Sequence, residues 1–108
     1  MIDRALGVFE HQVMLALLNL EGRAHSAPVV LELEAASGRD VSPAAVFIAL
    51  RRLEQRGYVR STKTDARPGE GGRGRRTFAV TARGRAKLRD ARATLERLWN
   101  AGPLADHS

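Results

Sequence analysis

The arginine and lysine residues of this sequence are the ones whose number and distribution indicate a binding function. Residues 1–50 contain 3 basic and 6 acidic side chains, residues 51–89 contain 13 and 3, and residues 90–108 contain 2 and 3. The net charge of +6 is therefore the sum of −3, +10 and −1 along the chain. Such a polycationic segment usually faces a polyanion, and nucleic acid is the first candidate. An ordinary solvated surface is the alternative interpretation of the charge by itself.

The other residue types that perform chemistry are scattered. The histidines His11, His25 and His107 have no spacing that places them beside a nucleophile or in a metal-ligand pattern. The sequence has no cysteine, which excludes thiolate metal sites and thiol redox sensing. Residues 69–74 match the G-x-G-x-x-G pattern of dinucleotide-binding proteins, but a strand pattern follows where that motif requires a helix. We therefore expect neither an enzyme nor a bound cofactor or metal ion.

Length and hydropathy predict one domain that does not enter a membrane. A chain of 108 residues can build one modest core. Its longest apolar stretch, residues 13–20, is much shorter than the roughly 20 residues that a membrane-spanning helix needs. The N-terminal residues lack the basic region, apolar stretch and cleavage site of a signal peptide. We therefore expect a cytoplasmic protein without a membrane partner.

Apolar residues at helical spacing predict three helices before the basic segment. The first covers about residues 9–21, and we expect it to be largely buried. The second is short, covers about residues 26–37 and has Ser26 as its N-cap. The third follows the N-cap Ser42 and begins with a proline, a residue that suits the first helical position.

The pattern changes after position 57 from helical spacing to short β-prone runs. Residues 58–63 and 77–81 predict two strands. The segment between them, residues 65–76, is rich in glycine and arginine and predicts a long flexible hairpin tip, or wing. This order of helix, short helix, turn, helix and two-stranded ribbon is typical of a winged helix-turn-helix. The expected fold class is α+β, mainly helical.

A last helix is predicted after the N-cap Thr81. Its apolar residues recur every three or four positions, which is the spacing of a seam between two helices. We expect this seam to form a dimer, with Trp99 either packed across it or lining a ligand cavity between the subunits, and packing is favoured. The predicted dimerisation residues are Leu88, Ala91, Leu95, Leu98 and Trp99. Residues 1–80 then form the DNA-binding part, residues 81–101 the dimerisation helix of the same compact unit, and residues 102–108 a flexible tail.

The segment 41–54, VSPAAVFIALRRLE, followed by Gly57-Tyr58-Val59, resembles the recognition-helix segment of PadR-type transcriptional regulators. Residues 71–84 resemble the wing of that family and the start of its last helix, and the similarity extends over residues 6–100. The resemblance implies a homodimer formed through the C-terminal helix, which binds a near-palindromic DNA operator as a repressor and is often released by a small molecule or another effector. The chain resembles the short form of the family, in which an effector site would lie at or near the dimer interface.

The sequence departs from the family pattern at two positions of the third helix. Ala44 stands where the family often has glycine, and Phe47 stands where it usually has a tyrosine that contacts the DNA backbone. Phe47 lacks the hydroxyl for that contact, and Ala45 and Ile48 can pack only against apolar groups such as thymine methyls. We therefore expect arginine contacts and DNA shape to carry more of the binding. The predicted DNA-binding residues are Ser42, Pro43, Ala45, Phe47, Ile48, Arg51, Arg52, Lys63, Arg73, Arg75 and Arg76. The alternative function is a basic interaction module that binds an acidic protein without reading DNA.

Overall fold

Four helices and a small antiparallel sheet make up residues 4–64 and 75–105, the part of the chain that the computed structural model describes. In chain order the elements are α1 (Val8–Asn19), β1 (Arg23–Ala24), α2 (Ser26–Ser37), α3 (Pro43–Gln55), β2 (Val59–Thr64), β3 (Arg75–Val80) and α4 (Ala82–Ala101). The strand order in the sheet is β1-β3-β2. The predicted α+β class, mainly helical, is confirmed. No helix in these two ranges is long and apolar enough to cross a membrane.

The core lies where α1, α2 and α3 meet the sheet. Leu17 of α1, Val29 of α2, Leu50 of α3 and Phe78 of β3 are all fully buried in it. Full burial of one such side chain contributes about 1.5–3 kcal/mol to folding. Packing against α1 and the sheet therefore fixes the position of α3, whose other side faces solvent.

Side-chain hydrogen bonds begin α3 and α4 where the sequence predicts. Ser42 Oγ accepts a hydrogen bond of 3.2 Å from the backbone N–H of Ala45, and Thr81 Oγ1 accepts one of 3.0 Å from that of Gly84. The predicted cap of α2 is wrong by one residue, because the N-cap is His25 and Ser26 is already helical. His25 has an extended backbone, and its ring contacts β3 instead of capping the helix.

Helix α1 is not as buried as its apolar composition predicts. Its side toward α2, α3 and the sheet is buried, but Val8 and Leu15 are exposed. The reason is geometric, because only one side of α1 faces the core. The exposed side chains of Val8 and Leu15 add apolar surface next to α4.

The two wing strands, β2 and β3, have different ends from those predicted, and β2 is displaced by one residue to Val59–Thr64. Strand β3 begins at Arg75, so Arg75 and Arg76 belong to the strand and not to the hairpin tip. Strand β1 was not predicted, because two residues carry no periodicity, and it pairs with β3 through Arg23 and Ala79. The predicted flexible tip, with Arg73, lies in residues 65–74, outside the described residues. The predicted tail lies partly outside them as well, because the description ends at Ala105.

Candidate nucleic-acid interface

The solvent side of α3 presents a mixture of apolar and basic side chains. Ser42, Pro43, Arg51 and Arg52 are exposed, and Ala45 is half-buried. Ile48 is 50% exposed even though it is a large apolar residue. An exposed isoleucine beside arginines on one helix face suits a DNA groove, where thymine methyls and phosphates lie close together.

Phe47 connects α3 to the sheet. Its ring lies edge-on to that of Phe78 in β3, with a centroid distance of 6.0 Å and an interplanar angle of 83°. The side chain is still 42% exposed, so one edge of the ring remains at the surface. Phe47 therefore supports the orientation of α3 toward β3, in addition to any contact that its exposed edge makes with DNA.

The wing ribbon carries cations at adjacent positions on paired strands. Lys63 of β2 is directly opposite Arg76 of β3, and Thr64 is opposite Arg75. Lys63 and Arg75 are exposed, and Arg76 is half-buried. Like charges directly opposite each other destabilise a strand pair, and an anion close to them would relieve this repulsion.

The carboxylate of Glu54 joins α3 to the wing, because it pairs directly with Arg51 and is linked to Arg76 through the hydroxyl of Ser61. Arg51 Nη1 lies 2.7 Å from Glu54 Oε1, and Ser61 Oγ donates a hydrogen bond to Glu54 Oε2. Arg76 Nη1 donates a hydrogen bond of 2.9 Å to Ser61 Oγ. We call these four residues the Glu54 bridge. Glu54 and Ser61 are not among the residues predicted from the sequence, although the spacing of Arg51 and Glu54 by three on a helix is a signal for an ion pair.

Arg52 has different surroundings from its neighbour Arg51. It is exposed and has no ion pair or side-chain hydrogen bond to any residue in the described part of the chain. The same holds for Lys63 and Arg75. Of the predicted basic residues that the structure describes, Arg51 and Arg76 have side-chain partners, whereas Arg52, Lys63 and Arg75 have none within the described ranges.

His25 attaches the start of α2 to the base of the wing. Its Nδ1 lies 3.1 Å from the backbone oxygen of Arg76 and 3.4 Å from Thr77 Oγ1. Strand β3 is thus held by α2 on one side and, through the Glu54 bridge, by α3 on the other. Within residues 4–64 and 75–105 no group of three histidine, aspartate or glutamate residues could hold a metal ion.

A second candidate surface lies where α1 and α4 are in contact. We define the α1–α4 face by its exposed apolar residues, which are Val8, Leu15, Leu95, Leu98 and Trp99. Two open grooves of about 540 and 550 Å³ cross this face, and both are lined by residues of α1 and α4. Of the predicted dimerisation residues, Ala91 is half-buried and Leu88 is buried in the core of the single chain. The prediction for Leu88 is therefore corrected, because this side chain has no free surface to offer to a partner.

Comparisons with known proteins agree with this geometry. The model of the transcriptional regulator PadR-like family matches residues 14–90. A PadR family transcriptional regulator from Eggerthella lenta DSM 2243 is 26% identical, with coverage of 94% of this chain and 90% of that chain and a TM-score of 0.68. No curated protein matches the sequence significantly.

Two further solved structures are similar in fold. F93 from STIV, a winged-helix DNA-binding protein, is 10% identical, with coverage of 88% of this chain and 95% of that chain and a TM-score of 0.68. BpsR from Bordetella bronchiseptica, whose DNA binding is regulated by 6-hydroxynicotinic acid, is 19% identical, with coverage of 94% and 67% and a TM-score of 0.68. The chain has the winged-helix fold, in which α3 is the recognition helix and β2 and β3 form the wing.

Proposed function

Because the chain belongs to the PadR-like family of transcriptional regulators, we propose that it is a homodimeric, sequence-specific repressor that binds operator DNA in the cytoplasm and responds to an effector. The observation that carries this proposal is the exposed face of α3 beside a wing ribbon whose cations Lys63 and Arg75 have no side-chain partner among the described residues. In the proposal, residues 1–80 bind DNA and residues 81–101 dimerise, although both parts share one core.

The recognition helix enters the major groove with the solvent side of its first two turns. Ile48 and Ala45 contact base edges that carry methyl groups, and Arg52 binds a phosphate or a guanine edge. Lys63 and Arg75 of the ribbon contact the backbone at the flank of the site. These side chains can make few direct hydrogen bonds to bases, so DNA shape contributes to the sequence preference.

The dimer forms through the α1–α4 face. Leu95, Leu98 and Trp99 lie on one side of α4, and more than half of the surface of each remains exposed in the single chain. Contiguous exposed apolar residues of this size mark an interaction surface. A two-fold axis through this face presents two copies of α3 to one side of a DNA duplex, which suits a near-palindromic operator.

The effector binds at the same face. The groove between α1 and α4 that contains Trp99 is mainly apolar and is also lined by Arg85, Arg89 and Arg92. A second subunit would enclose this open groove, and concave apolar sites with a few polar groups are typical of small-molecule sites. BpsR, which shares the fold, is regulated by 6-hydroxynicotinic acid, and this supports an effector as the signal for release.

A mobility-shift assay tests the proposal. Duplex DNA from upstream of the protein's own gene competes with random duplex of equal length at physiological salt, and we expect the upstream DNA to be preferred. Specific sites typically bind about 10³–10⁷ times more tightly than random DNA. Equal binding of both duplexes would favour the alternative function, a basic module that binds an acidic protein.

A further inference from the structure

We propose that Glu54 is a positioning residue that withdraws Arg51 and Arg76 from DNA, so that Arg52 is the principal phosphate-binding cation of the recognition helix. The inference rests on the proposed DNA binding and assigns unequal roles to two adjacent arginines of α3. It separates the cations that bind the polyanion from the cations that hold the wing in place.

The geometry of the Glu54 bridge supports this assignment. Each carboxylate oxygen of Glu54 has its own partner, Arg51 for Oε1 and Ser61 for Oε2. The side chain of Glu54 is 27% exposed and that of Arg51 is 44% exposed. An isolated exposed ion pair exchanges easily with solvent. Glu54 differs because a hydroxyl of the next strand also holds its carboxylate, and that hydroxyl in turn accepts from Arg76.

The charge of the bridge leads to the same conclusion. Arg51 and Arg76 bring two positive charges to the junction of helix and wing, and Glu54 removes one of them. The bridge therefore presents a net charge of +1 to DNA from two arginines. Arg52 has no acidic partner in the described residues and presents its whole charge. Because each neutralised phosphate releases counterions, this difference is measurable as a salt dependence.

The bridge also fixes the angle between α3 and the wing. Ser61 lies opposite Phe78, and Phe78 contacts Phe47 of α3, so an apolar contact and a polar contact join the same two elements. A recognition helix and a wing that cannot move independently fit only duplexes of matching groove geometry. Loss of the Glu54 carboxylate would let α3 and the wing move more independently, and it would free Arg51 to bind a phosphate.

The experiment compares Arg51→Gln with Arg52→Gln. Both variants lose one exposed arginine of α3, and neither residue is part of the core. Affinity for a duplex of about 30 base pairs, long enough for two half-sites one helical turn apart, is measured across a salt series. We expect Arg52→Gln to make the slope of log K against log salt shallower by about 0.9 per protomer. We expect Arg51→Gln to change it by less than half of that.

A second variant, Glu54→Gln, tests the bridge itself. It should steepen the salt slope by about 0.9 per protomer and raise the affinity for random duplex, because it releases one net positive charge. Its control is Glu21→Gln, which changes the net charge equally at an exposed residue without an ion pair in the described ranges. A purely structural role of Glu54 would lower the melting temperature without steepening the slope.

The outcomes separate this inference from the proposed function. Equal slope changes in Arg51→Gln and Arg52→Gln overturn the inference alone, as does equal steepening in Glu54→Gln and Glu21→Gln. A wild-type protein that binds no duplex at all overturns the proposed function and the inference with it. If Glu54→Gln does not fold, the comparison of the two arginine variants still decides.

Discussion

Ile48 is the exposed side chain of α3 best suited to read DNA by an apolar contact. It is 50% exposed, it lies in the second turn of α3, and it is not among the buried core residues. Its neighbour Phe47 has a structural contact with Phe78 and cannot turn freely toward a base. Among the predicted DNA-binding residues, Ile48 is therefore the one whose loss should change sequence preference more than affinity.

We predict that Ile48→Ala flattens the preference at one or two positions of the selected site. A mismatched base pair typically costs about 1–3 kcal/mol, and the variant should lose part of that discrimination. Selection of bound sequences from a random pool, compared with the wild-type protein, measures the change. Arg52→Ala serves as the contrast, because it should weaken binding to all sequences alike. An unchanged preference in Ile48→Ala would remove this residue from the readout set.

Gly84 permits the close approach of α4 to the sheet. A Cβ atom at this position would lie 2.2 Å from the backbone oxygen of Tyr58 and 2.9 Å from Cγ1 of Val80. The backbone at Tyr58 cannot yield easily, because its oxygen also accepts the 3.0 Å hydrogen bond of the Thr81 N–H. Glycine is required at position 84 because there is no room for a Cβ atom, and not because the backbone has a positive φ angle.

We predict that Gly84→Ala destabilises the fold by about 1–3 kcal/mol, the usual cost of overpacking. Thermal unfolding should show a melting temperature lower by about 4–8 °C for each kcal/mol. Gly102→Ala, at the other end of α4, is the matched control, because its added Cβ would be at an ordinary 3.5 Å from the nearest atom. A melting temperature for Gly84→Ala equal to that of the control would contradict the prediction.

At the scale of elements, the two halves of α4 differ in burial. Its first turns pack against Tyr58 and the core, with Leu88 buried there. Its second half extends beyond the core and leaves Leu95, Leu98 and Trp99 exposed. Because the rest of the described chain leaves these three side chains exposed, their burial in an intermolecular contact would be favourable.

We predict that Leu98→Asp shifts the protein from dimer to monomer. A charge at the centre of an apolar contact loses the burial of leucine and adds the cost of an unpaired carboxylate. Sedimentation velocity at micromolar concentration measures the change. Leu31→Asp on α2 is the matched control, because Leu31 and Leu98 are both leucines on helices with 66% exposure. Dimers that persist in Leu98→Asp would contradict the proposed seam.

At the scale of the whole molecule, charge and apolar surface lie on different parts of the chain. The cations of residues 51–89 include those of α3 and the wing, whereas the exposed apolar side chains of α4 lie beyond residue 90. A dimer built through the α1–α4 face would therefore keep α3 and the wing of both subunits free, although Arg85 and Arg89 of the basic segment line a groove of that face. In the proposed complex both subunits would act on one duplex, and their phosphate contacts would add.

We predict a steep salt dependence of DNA binding by the dimer. If the two subunits together neutralise about 6–10 phosphates, affinity should fall by about 10³–10⁵ between 50 and 200 mM salt. Fluorescence anisotropy with a labelled duplex at several salt concentrations measures the slope. A complex whose affinity does not change with salt would exclude this electrostatic mechanism, whatever its sequence preference.

The amino-acid sequence alone determined the order of elements and the location of charge. Helical spacing predicted α1, α2 and α3, Ser42 and Thr81 predicted the starts of α3 and α4, and the glycine- and arginine-rich segment predicted a wing. These features are local, because a cap or an apolar period involves residues within a few positions of each other. The winged-helix fold was therefore predictable before any contact was known.

Only the tertiary structure decided which of these residues are available for binding. Glu54 and Ser61 are seven residues apart, Arg76 is a further fifteen along the chain, and their contact depends on how β2 and β3 pack against α3. The same is true of Leu88, which is buried although it has the spacing of the seam, and of Val8 and Leu15, which are exposed on α1. Exposure and pairing depend on which elements meet in space, and a one-dimensional pattern does not contain that information.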